Sequence, residues 1–575
     1  MSNSYRAEVD GLRALAVLPV VLFHAGTALI PGGFVGVDIF FVISGFLITK
    51  ILVGEAERTG RVSISGFYAR RLRRIAPALL VVLLASFGAA HLTLLPGQYL
   101  AFARSMIATL GFTSNIWFWS QTGYFAAQAG VEPLLHTWSL AVEEQFYLFV
   151  PIIIGLLAKS RRWLIRLLIA ATALSFALSV VGLWRSPSVT FYWLPTRAWE
   201  LLLGSLLAMR LVRPVIRQSA AQILSVAGLL LIVGSLFLLS ETTPFPGTAA
   251  LPACLGAAMI IYSTDDHDIA VRRFLSWSPV VGIGLISYSL YLWHWPVMVF
   301  SRNYFGQEAS AWATVSLSFG LAVATLFLVE KPTRKDWGIR PLLFCIAAAS
   351  LALAIGAFFV LRSGGAPSRL PAHAVELSAA SEDRATICAG RTEWCDTGAR
   401  PAIAIIGDSH AALLAEAYDA AGLPVRLLSS NACPPGWKFG NMPPLDAQAC
   451  DLRNTEAIDR VLADADIRDV ILVANWPSYE PRDIAKHAGA VIARIHRADK
   501  RATVFYGLPY FKGNLPAGLA KAAWWDSTPP SLSRPSILQL SGATMLDGGS
   551  VLCSGTNCPA VLDGRVVLSD GNHVT

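Results

Sequence analysis

The sequence predicts a polytopic α-helical membrane domain with about 11 transmembrane helices, followed by an α/β domain built on a parallel sheet. The first supporting observation is composition: 54% of the 575 residues are hydrophobic, 15% are charged, and the mean hydropathy is +0.53. Ordinary soluble domains are far less apolar. The second observation is a change along the chain, because apolar runs recur up to Leu361 and residues 362–575 are polar and contain many prolines.

Each apolar run is about 15–22 residues long, which is close to the length of a membrane-crossing helix. The runs begin near Leu12, Phe34, Pro77, Leu140, Trp163, Tyr192, Gln222, Ala249, Pro279, Trp312 and Pro341. One more run, at 102–121, is also long enough to be considered. The predicted domains are a membrane domain at 1–340, an additional transmembrane helix with a linker at 341–387, and a globular domain at 388–575.

Basic residues between the runs predict the orientation, because cytoplasmic loops concentrate Lys and Arg. If the N-terminus is cytoplasmic and 102–121 does not cross, the clusters at 70–74, 159–162 and 331–335 all lie inside. The range 102–135 is then re-entrant or lies along the outer surface, and the C-terminal domain lies outside. Membrane topology accounts for the net charge of +8, and nucleic acid is not an expected partner.

Cysteine usage indicates an oxidising compartment for the C-terminal domain. Six of the eight cysteines lie there, namely Cys388, Cys395, Cys433, Cys450, Cys553 and Cys558. The simplest disulfide pairing joins sequence neighbours, as 388–395, 433–450 and 553–558. A zinc site is the alternative, but the spacings are not those of paired CxxC ligands, and no metal site is predicted.

Ionisable residues inside apolar runs are candidates for function, because their burial in a membrane is costly. Arg13 and His24 share one face of a helix, about 16 Å apart along its axis. The predicted topology places Arg13 near the cytoplasmic mouth and His24 in the outer half. The other polar residues predicted in or near the outer half are Asp38, His136, Glu143, Glu144, Arg197 and His294. With the basic cluster at 70–74, these residues predict a polar path across the bilayer.

Each of these residues also has a structural interpretation. His136 and His294 lie beside tryptophans and could anchor the chain at the membrane interface. Asp38 and Glu144 could form buried ion pairs with Arg197. The basic residues at 70–74 could serve as a topology signal alone.

Several motifs in residues 1–340 resemble those of the membrane acyltransferase-3 family. They are the Arg13/His24 pair, 36-GVDIFFVISGFLIT-49, 70-RRLRRIAP-77, 136-HTWSLAVEEQF-146, 197-RAWELLLG-204 and 288-YSLYLWHWP-296. Together these motifs are specific, whereas each of them alone is not. The resemblance implies a multi-pass enzyme of a bacterial inner membrane, with a cytoplasmic N-terminus, that uses cytoplasmic acetyl-CoA to O-acylate cell-surface carbohydrates.

The resemblance also implies roles for individual residues. His24 would act on the acyl group, and a set of arginines would bind the phosphates of the acyl donor, acetyl-CoA. These arginines are Arg13, Arg70, Arg71, Arg73 and Arg74. The remaining polar residues of the membrane domain would line the passage. The expected partners are a cell-surface polysaccharide or glycolipid acceptor and membrane lipid.

The C-terminal domain alternates predicted strands and helices. The strands are 402–406, 424–429, 469–475 and 502–507, and the helices are 410–421, 453–465 and 483–498. This order predicts a parallel sheet with helices on both faces, whose site lies at the carboxyl ends of the strands. Ser409 and Asn475 both lie at such ends.

Ser409 belongs to 407-GDSH-410, and 569-SDGNHVT-575 places Asp570 and His573 three residues apart. A serine becomes a nucleophile when a base takes its proton and an acid orients that base. His573 is the predicted base and Asp570 the predicted orienting acid.

Backbone N–H groups at the Ser409 turn and the Asn475 side-chain amide are the predicted oxyanion donors. His410 is adjacent to the serine and is not the expected base, because its ring cannot easily reach Oγ. The serine, the asparagine and the terminal Asp-x-x-His together resemble the SGNH hydrolase and transferase fold, which is named for its Ser, Gly, Asn and His blocks.

The predicted function is transfer of acetyl from acetyl-CoA across the inner membrane to a hydroxyl of a cell-envelope carbohydrate, such as lipopolysaccharide O-antigen, through an acyl-enzyme at Ser409. Two alternatives stay open. The Ser409 domain could be an esterase that removes acetyl groups, because the same triad hydrolyses when water outcompetes the sugar. The chain could also be a polytopic transporter with an extracytoplasmic binding domain, in which the intramembrane charges line a substrate path.

Overall fold

The structure is a computed structural model of the 575-residue chain. The residues it describes are 5–27, 29–121, 132–157, 160–211, 215, 217–265, 267–305, 310–335, 337–379, 394–429, 435, 444–476, 481–507, 515–525, 532–533, 540–554, 558–562 and 565–566. The chain divides into two compact units, Met1–Gly365 and Ala366–Thr575. Each unit has a hydrophobic core of its own.

The first unit is built from helices. They are α1 (Ala7–His24), α2 (Gly36–Thr59), α3 (Ile64–Thr93), α4 (Pro96–Leu110), α5 (Ser114–Ser120), α6 (Thr137–Leu157), α7 (Arg161–Arg185), α8 (Pro187–Tyr192), α9 (Leu194–Ala208), α10 (Gln218–Leu238), α11 (Leu251–Ser263), α12 (Ala270–Leu275), α13 (Ser278–Phe305), α14 (Ala311–Thr325), α15 (Lys331–Lys335) and α16 (Ile339–Arg362). A π-helical segment, Leu326–Glu330, joins α14 to α15.

Among the described residues, eight helical stretches are long and apolar enough to cross a membrane. They are Gly33–Thr59, Ile64–Thr93, Thr137–Leu157, Arg161–Arg185, Gln218–Leu238, Ser278–Tyr304, Ala311–Arg334 and Ile339–Arg362. Each coincides with a run predicted from the sequence. The predicted fold class of this unit, a helical membrane domain, is therefore confirmed.

The other predicted runs also form helices, but they do not meet the same standard of length and composition. Helix α1 has 18 residues and carries Glu8, Asp10 and Arg13. Helix α9 has 15 residues, and the apolar stretch Gly247–Ser263 is also short. The predicted count of about eleven spans is therefore not confirmed, and it stays a prediction.

The run at 102–121 does not form one long helix. It is divided between α4, of 15 residues, and α5, of 7 residues, with the backbone at Phe112 in the left-handed region between them. A crossing needs about 20 helical residues. This agrees with the charge pattern, which also argues against a crossing here.

Small residues allow the long helices of the first unit to approach each other closely. A Cβ added at Gly45 of α2 would lie 1.8 Å from the carbonyl oxygen of Leu201 in α9, and one at Gly204 of α9 would lie 2.0 Å from the carbonyl oxygen of Val42. Such contacts are typical of membrane helix pairs. They bring polar side chains of α2 and α9 within reach of each other.

Helices α1 and α13 pack side by side in the same direction. A Cβ added at Gly284, near the start of α13, would lie 1.9 Å from the carbonyl oxygen of Asp10 in the first turn of α1. Further along both helices, the His24 side chain contacts that of His294. The end of α1 therefore lies beside the second half of α13.

The second unit is an α/β fold. Its helices are α17 (Ala372–Ala379), α18 (Ser409–Ala420), α19 (Pro444–Ala463), α20 (Pro481–Arg497), α21 (Leu515–Trp525) and α22 (Gly549–Leu552). Its strands are β1 (Cys395–Asp396), β2 (Ile403–Gly407), β3 (Val425–Ser429), β4 (Asp469–Val473), β5 (Arg501–Tyr506), β6 (Thr544–Asp547), β7 (Val561–Leu562) and β8 (Arg565–Val566). The main sheet has the order β1-β3-β2-β4-β5-β6, and β7 pairs with β8.

The predicted strands are confirmed as β2, β3, β4 and β5, which pair in parallel. Strand β6 extends the parallel sheet and β1 adds an antiparallel edge. Both extra strands are very short, with four and two residues, so they show too little alternation to be predicted from the sequence. The sheet is buried on both faces, since Ile406 and Leu472 belong to one core cluster and Ile405 and Val473 to the other.

The glycine of 407-GDSH-410 is required by close packing at the end of β2. A Cβ added at Gly407 would lie 1.9 Å from the carbonyl oxygen of Val473 in β4. The turn that precedes α18 is therefore held against the carboxyl end of β4. This places the Ser409 turn at the sheet edge that the sequence predicted for the site.

The predicted disulfide between Cys553 and Cys558 is confirmed. Cys395 is also disulfide-bonded, whereas Cys388, Cys433 and the side chain of Cys450 lie outside the described residues. The pairings 388–395 and 433–450 stay predictions.

Candidate functional site

Histidines from α1, from α13 and from the turn before α6 meet in the first unit. His24 Nδ1 lies 3.1 Å from His294 Nε2, and the ring of His136 lies 5.8 Å from that of His294 between centroids. The Trp295 ring packs edge-on against His24 at 4.8 Å. We call His24, His136 and His294 the histidine cluster. His294 and His136 are buried, with 0% and 4% of their surface exposed.

Hydrogen bonds assign the tautomers of two of these rings. His294 Nδ1 lies 2.6 Å from the carbonyl oxygen of Tyr291, which can only accept, so Nδ1 carries the proton. In the neutral ring, Nε2 of His294 is then an acceptor, and His24 Nδ1 donates to it. The lone pair of His24 is left on Nε2, where it can serve as a base.

Tyr291 connects the histidine cluster to the neighbouring helices. Its hydroxyl donates to the carbonyl oxygen of His136 at 2.9 Å and lies 2.6 Å from Ser139 Oγ. Its ring centroid lies 5.6 Å from that of His136 and 5.2 Å from that of His294. The tyrosine therefore holds two members of the cluster in position.

A cavity with an empty volume of about 840 Å³, including space open to solvent, lies between α1, α2, α3, α6 and α13. Its charged lining residues are Arg13, Arg71, Arg74 and Glu143. We call it the arginine cavity. Tyr291 also lines it, so the arginine cavity and the histidine cluster share a wall.

The structure divides the predicted arginines at 70–74 into two pairs. Arg71 and Arg74, which are one helical turn apart, line the arginine cavity, and Arg70 and Arg73 do not. Arg70 is exposed and pairs with Glu55 at 3.3 Å. Residues three apart lie on the same face of a helix. Arg71 and Arg74 therefore share the face towards the cavity, and Arg70 and Arg73 share another face.

The two adjacent glutamates of α6 have different surroundings. Glu143 lines the arginine cavity; its carboxylate accepts from Ser44 Oγ at 2.9 Å and from the Tyr147 hydroxyl at 3.3 Å. Glu144 is not among the cavity residues, and its buried Oε1 has no hydrogen-bond partner among the described residues. Consecutive positions on a helix point in different directions, so the two carboxyl groups do not act on the same space.

Asp38 and Arg197 form a buried ion pair at 3.0 Å, and Glu200 joins it at 3.3 Å from Arg197 Nε. The three side chains are at most 1% exposed. The guanidinium also lies within 5.7 Å of the ring centroids of Phe41, Trp138, Phe191 and Phe245. Asp38 and Arg197 were predicted to line the polar path, with a buried ion pair as the alternative. The contact between them is such an ion pair, and it joins α2 to α9.

One group of metal-ligand type occurs among the described residues: the ligand atoms of Asp38, Glu200 and Cys254 lie within 4.8 Å of one another. The Arg197 guanidinium already provides a cation to both carboxylates. A metal ion would have to compete with that charge, so we describe this group as an ion cluster.

In the second unit, Asp408 joins the Ser409 turn to the end of β4. Its Oδ1 accepts from the backbone N–H of His410 at 3.0 Å and lies 2.9 Å from His410 Nδ1. Its Oδ2 accepts from the backbone N–H of Asn475 at 2.7 Å. Ser409 begins α18, so one carboxylate fixes the backbone next to the predicted nucleophile and next to a predicted oxyanion donor.

Hydrogen bonding also sets the charge of Asp408. Burial alone would raise the pKa of this carboxyl, but bonds from the His410 ring and from the backbone N–H groups of Asn475 and His410 outweigh burial and hold the pKa below its ordinary value. Asp408 is therefore a carboxylate at neutral pH.

None of the three side chains of the predicted triad is among those that the structure describes. Asp570 and His573 belong to the undescribed C-terminal segment, and the side chain of Ser409 is also undescribed. Their assembly with Asn475 stays a prediction.

The sequence reasoning missed several residues that the structure brings to these sites. Glu200 lies three residues after Arg197, which is one helical turn, and this spacing could have identified it. Tyr291 likewise lies one turn before His294. Arg302, which donates to the carbonyl oxygen of His24 at 2.9 Å, has no comparable signal because its partner is on another helix.

Two protein-family models match the chain. The acyltransferase domain model matches residues 6–330. The model of the SGNH domain that is fused to acyltransferase-3 domains matches residues 379–575. The two matches fall on the two parts of the chain for which the sequence motifs predicted these families.

Curated relatives include the O-acetyltransferase OatA of Staphylococcus aureus strain NCTC 8325 / PS 47, which is 33% identical over 320 residues, 53% of each chain. A putative O-acetyltransferase of S. aureus strain MSSA476 is 32% identical over 356 residues, 59% of this chain and 58% of the relative. The chain thus spans about half the length of these relatives. The solved periplasmic domain of a Salmonella ser. Paratyphi A lipopolysaccharide acetyltransferase aligns with 30% of this chain and 78% of that one, at 18% identity and a TM-score of 0.25.

Proposed function

The chain belongs to the acyltransferase family whose domain model covers residues 6–330, and on this premise we propose that it is an O-acetyltransferase of the cell envelope. It takes acetyl from cytoplasmic acetyl-CoA and delivers it to a hydroxyl of a carbohydrate, lipopolysaccharide O-antigen or a similar glycan. The observation that carries the proposal is the wall shared by the arginine cavity and the histidine cluster. The names of the relatives, both O-acetyltransferases, support the reaction class.

The arginine cavity suits an anionic thioester donor. Arg13, Arg71 and Arg74 bring guanidinium groups into one space, and such groups bind phosphates with paired hydrogen bonds. Among the described residues, Glu143 is the one carboxylate that lines this space. In the proposal, the arginines hold the phosphates while the acyl end of the donor extends towards the histidine cluster.

His24 is the proposed base of the membrane site. Its Nε2 lone pair takes the proton of a carrier hydroxyl, and the hydroxyl oxygen adds to the acetyl carbonyl. The CoA thiolate then leaves and takes the proton back from His24, so the products are an acetyl ester of the carrier and free CoA. Buried aromatic and histidine side chains surround the ring, and the exclusion of water suppresses hydrolysis of the thioester.

The second unit is the proposed site of delivery. Ser409 attacks the acetyl ester of the carrier, and the carrier alcohol leaves. Asp570 orients His573, which takes the serine proton and gives it to that alcohol. Asp408 fixes the backbone of Asn475, whose side-chain amide stabilises the oxyanion. A sugar hydroxyl then attacks the Ser409 ester, the acetyl group passes to the sugar, and the serine oxygen leaves and regains a proton from His573.

The proposed location is a bacterial inner membrane, with the N-terminus cytoplasmic and residues 366–575 outside. The basic clusters between helices support this orientation. The disulfide between Cys553 and Cys558 supports an oxidising compartment for the second unit.

Mass spectrometry of surface glycans tests the proposal. Cells that lack the protein are complemented with the wild type, His24→Ala, Ser409→Ala or the control His91→Ala, which changes a histidine at the end of α3. We expect one O-acetyl mass to be absent with the first two variants and present with wild type and control. Normal acetylation with Ser409→Ala would refute the relay, and loss with His24→Ala alone would make the membrane unit the sole transferase.

Acetate release distinguishes transfer from hydrolysis. Full-length protein is incubated with acetylated glycan in the absence of acetyl-CoA, and free acetate is measured. We expect little release from the wild type. Rapid release that disappears with Ser409→Ala would instead identify the second unit as an esterase.

A further inference from the structure

A second cavity lies on the other face of α2 from the arginine cavity. It has an empty volume of about 1220 Å³, including space open to solvent. None of the described residues lines both cavities. Lys50 of α2 lines the second cavity, which we call the lysine cavity.

The lysine cavity lies where the ends of several helices meet. Arg6 precedes α1, Arg161 begins α7, and Arg210 follows α9. All three line the cavity, together with residues of the second half of α2 and the end of α11. In the proposed orientation, this is the cytoplasmic end of the bundle.

Among the described residues that line the lysine cavity, positive charges outnumber negative charges. Its charged lining residues are Arg6, Lys50, Arg161 and Arg210 against Glu57 and Asp265, which leaves a net charge of +2.

Each of the three arginines that line the lysine cavity forms an ion pair with at least one carboxylate. Arg161 pairs with Glu57 at 3.4 Å, and Arg210 pairs with Asp265 at 2.9 Å. Arg6 pairs with Glu8, outside the cavity, at 2.7 Å and also with Asp265 at 3.0 Å.

Lys50 is the exception. It is partly buried, and its Nζ lies 5.5 Å from the centroid of the Phe46 ring. No hydrogen bond or ion pair joins it to another described residue. Asp265 and Glu8 attract Lys50 electrostatically without forming an ion pair with it, and Arg6 and Arg210 repel it. A cation that is partly removed from water without a direct ion-pair partner is costly, and a bound anion would offset that cost.

The other lining residues of the cavity are mainly apolar. Leu203, Leu206 and Leu207 of α9 face Val53 of α2 and Ile261 of α11. A cation beside such a wall suits an amphipathic anion whose phosphate meets the lysine and whose chain lies along the leucines. Basic pockets between membrane helices on the cytoplasmic side bind anionic lipid head groups in this way.

We propose that the lysine cavity binds the phosphate of an anionic glycerophospholipid. The acyl donor is a less suitable occupant, because three arginines already offer it phosphate ligands on the opposite face of α2. The lipid proposal rests on the proposed orientation, and it does not require the acetyl-transfer chemistry to be correct.

Native mass spectrometry of the full-length protein in detergent tests this proposal. Phosphatidylglycerol or phosphatidylcholine is titrated into delipidated protein, and bound lipid is counted by mass. We expect wild type to retain one phosphatidylglycerol in preference to phosphatidylcholine. Lys50→Ala should weaken that binding about fivefold, since a basic residue contributes about 1 kcal/mol to anionic-lipid binding, and Lys50→Arg should preserve it.

Lys331→Ala is the matched control. Its Nζ lies 3.7 Å from the centroid of the Phe327 ring, so it is also a lysine over a phenylalanine one turn away, but it does not line the lysine cavity. We expect no change in lipid binding. Equal binding of the two lipids, or equal loss with Lys50→Ala and Lys331→Ala, would overturn the proposal.

A third arm adds inorganic phosphate to the protein that carries phosphatidylglycerol. We expect the lipid to stay bound, because its acyl chains also contact the apolar wall. Complete displacement by millimolar phosphate would assign the cavity to a small soluble anion and overturn the lipid assignment. Comparison of elution volumes on gel filtration separates lost binding from misfolding of Lys50→Ala, and Lys50→Arg provides the second check.

Discussion

His24 and His294 are joined by a hydrogen bond of 3.1 Å whose direction is fixed from the far side of His294. There, the carbonyl oxygen of Tyr291 accepts from His294 Nδ1 at 2.6 Å. This chain of donors and acceptors ends on the free lone pair of His24 Nε2. His294 is thus placed to act through His24, as a residue that positions the proposed base.

We predict that His294→Ala lowers acetyl transfer by roughly 10- to 100-fold, which is the usual effect of removing a group that orients a functional histidine. The loss should fall on kcat, and KM for the acyl donor should change little, because the arginine cavity is untouched. Glycan acetylation by membranes at varied acetyl-CoA concentration measures both quantities.

His91→Ala is the control for this variant, since His91 packs on Tyr99 and lies apart from the histidine cluster. A rise in KM with unchanged kcat for His294→Ala would mean that His294 contacts the donor and does not orient His24.

The arginines at 70–74 provide an internal comparison. Arg71→Ala and Arg74→Ala should each raise KM for the donor by roughly 10- to 100-fold, because each removes a charged hydrogen-bond donor from the cavity. Arg70→Ala should stay near the wild type, since Arg70 is exposed and pairs with Glu55. The same kinetic assay checks all three, and an equal effect of all three would indicate a role in topology alone.

The sequence could predict that this arginine cluster matters but not which of its members face the cavity. Charge and motif are visible in 70-RRLRR-74, whereas the rotation of α3 is set by packing against α13 and α16. The same limit applies to Arg302, whose contact with the backbone of His24 depends on two helices far apart in the sequence.

The second unit was predicted more completely, because alternating strands and helices leave a strong local signal. Strands β2, β3, β4 and β5 appear where the pattern placed them. The role of Asp408 was not predicted. Its hydrogen bond to the backbone N–H of Asn475 forms because β2 and β4 are neighbours in the sheet. The local sequence pattern predicts strands but does not predict their order in the sheet.

The buried ion cluster predicts an asymmetric response to mutation. Arg197→Ala leaves Asp38 and Glu200 buried without a counter-ion, so we expect a loss of about 3–5 kcal/mol of stability. Glu200→Gln leaves one arginine with one carboxylate and should be tolerated. Thermal unfolding in detergent measures both variants, and greater damage from Glu200→Gln would show that the cluster needs both negative charges.

Asp408→Asn tests how one carboxylate holds the Ser409 turn. It weakens charged hydrogen bonds to the N–H groups of His410 and Asn475, so amide exchange of these groups should speed up roughly 10- to 100-fold. In the wild type this protection should be present above the ordinary pKa of aspartate and should be lost as the pH falls through the lowered pKa of Asp408.

Asp419→Asn, at an exposed position of α18, is the control, and hydrogen exchange of the full chain is the measurement. Unchanged exchange in Asp408→Asn would assign the protection to the sheet alone.

Glu132 should make the stability of the fold depend on pH in the opposite direction to Asp408. It precedes α6, and burial raises the pKa of its carboxyl to about 7; its Oε2 has no hydrogen-bond partner among the described residues. The folded chain therefore holds a proton that the unfolded chain loses at lower pH, so this group costs stability as the pH rises from the ordinary glutamate pKa to about 7.

Glu132→Gln keeps the neutral form and should raise the unfolding temperature at pH 8 but not at pH 5. Its backbone carbonyl still accepts from Trp295 Nε1, so the packing beside His24 is retained. An equal shift at both pH values, or the same shift in the exposed control Glu241→Gln, would mean that the charge of Glu132 is not the cause.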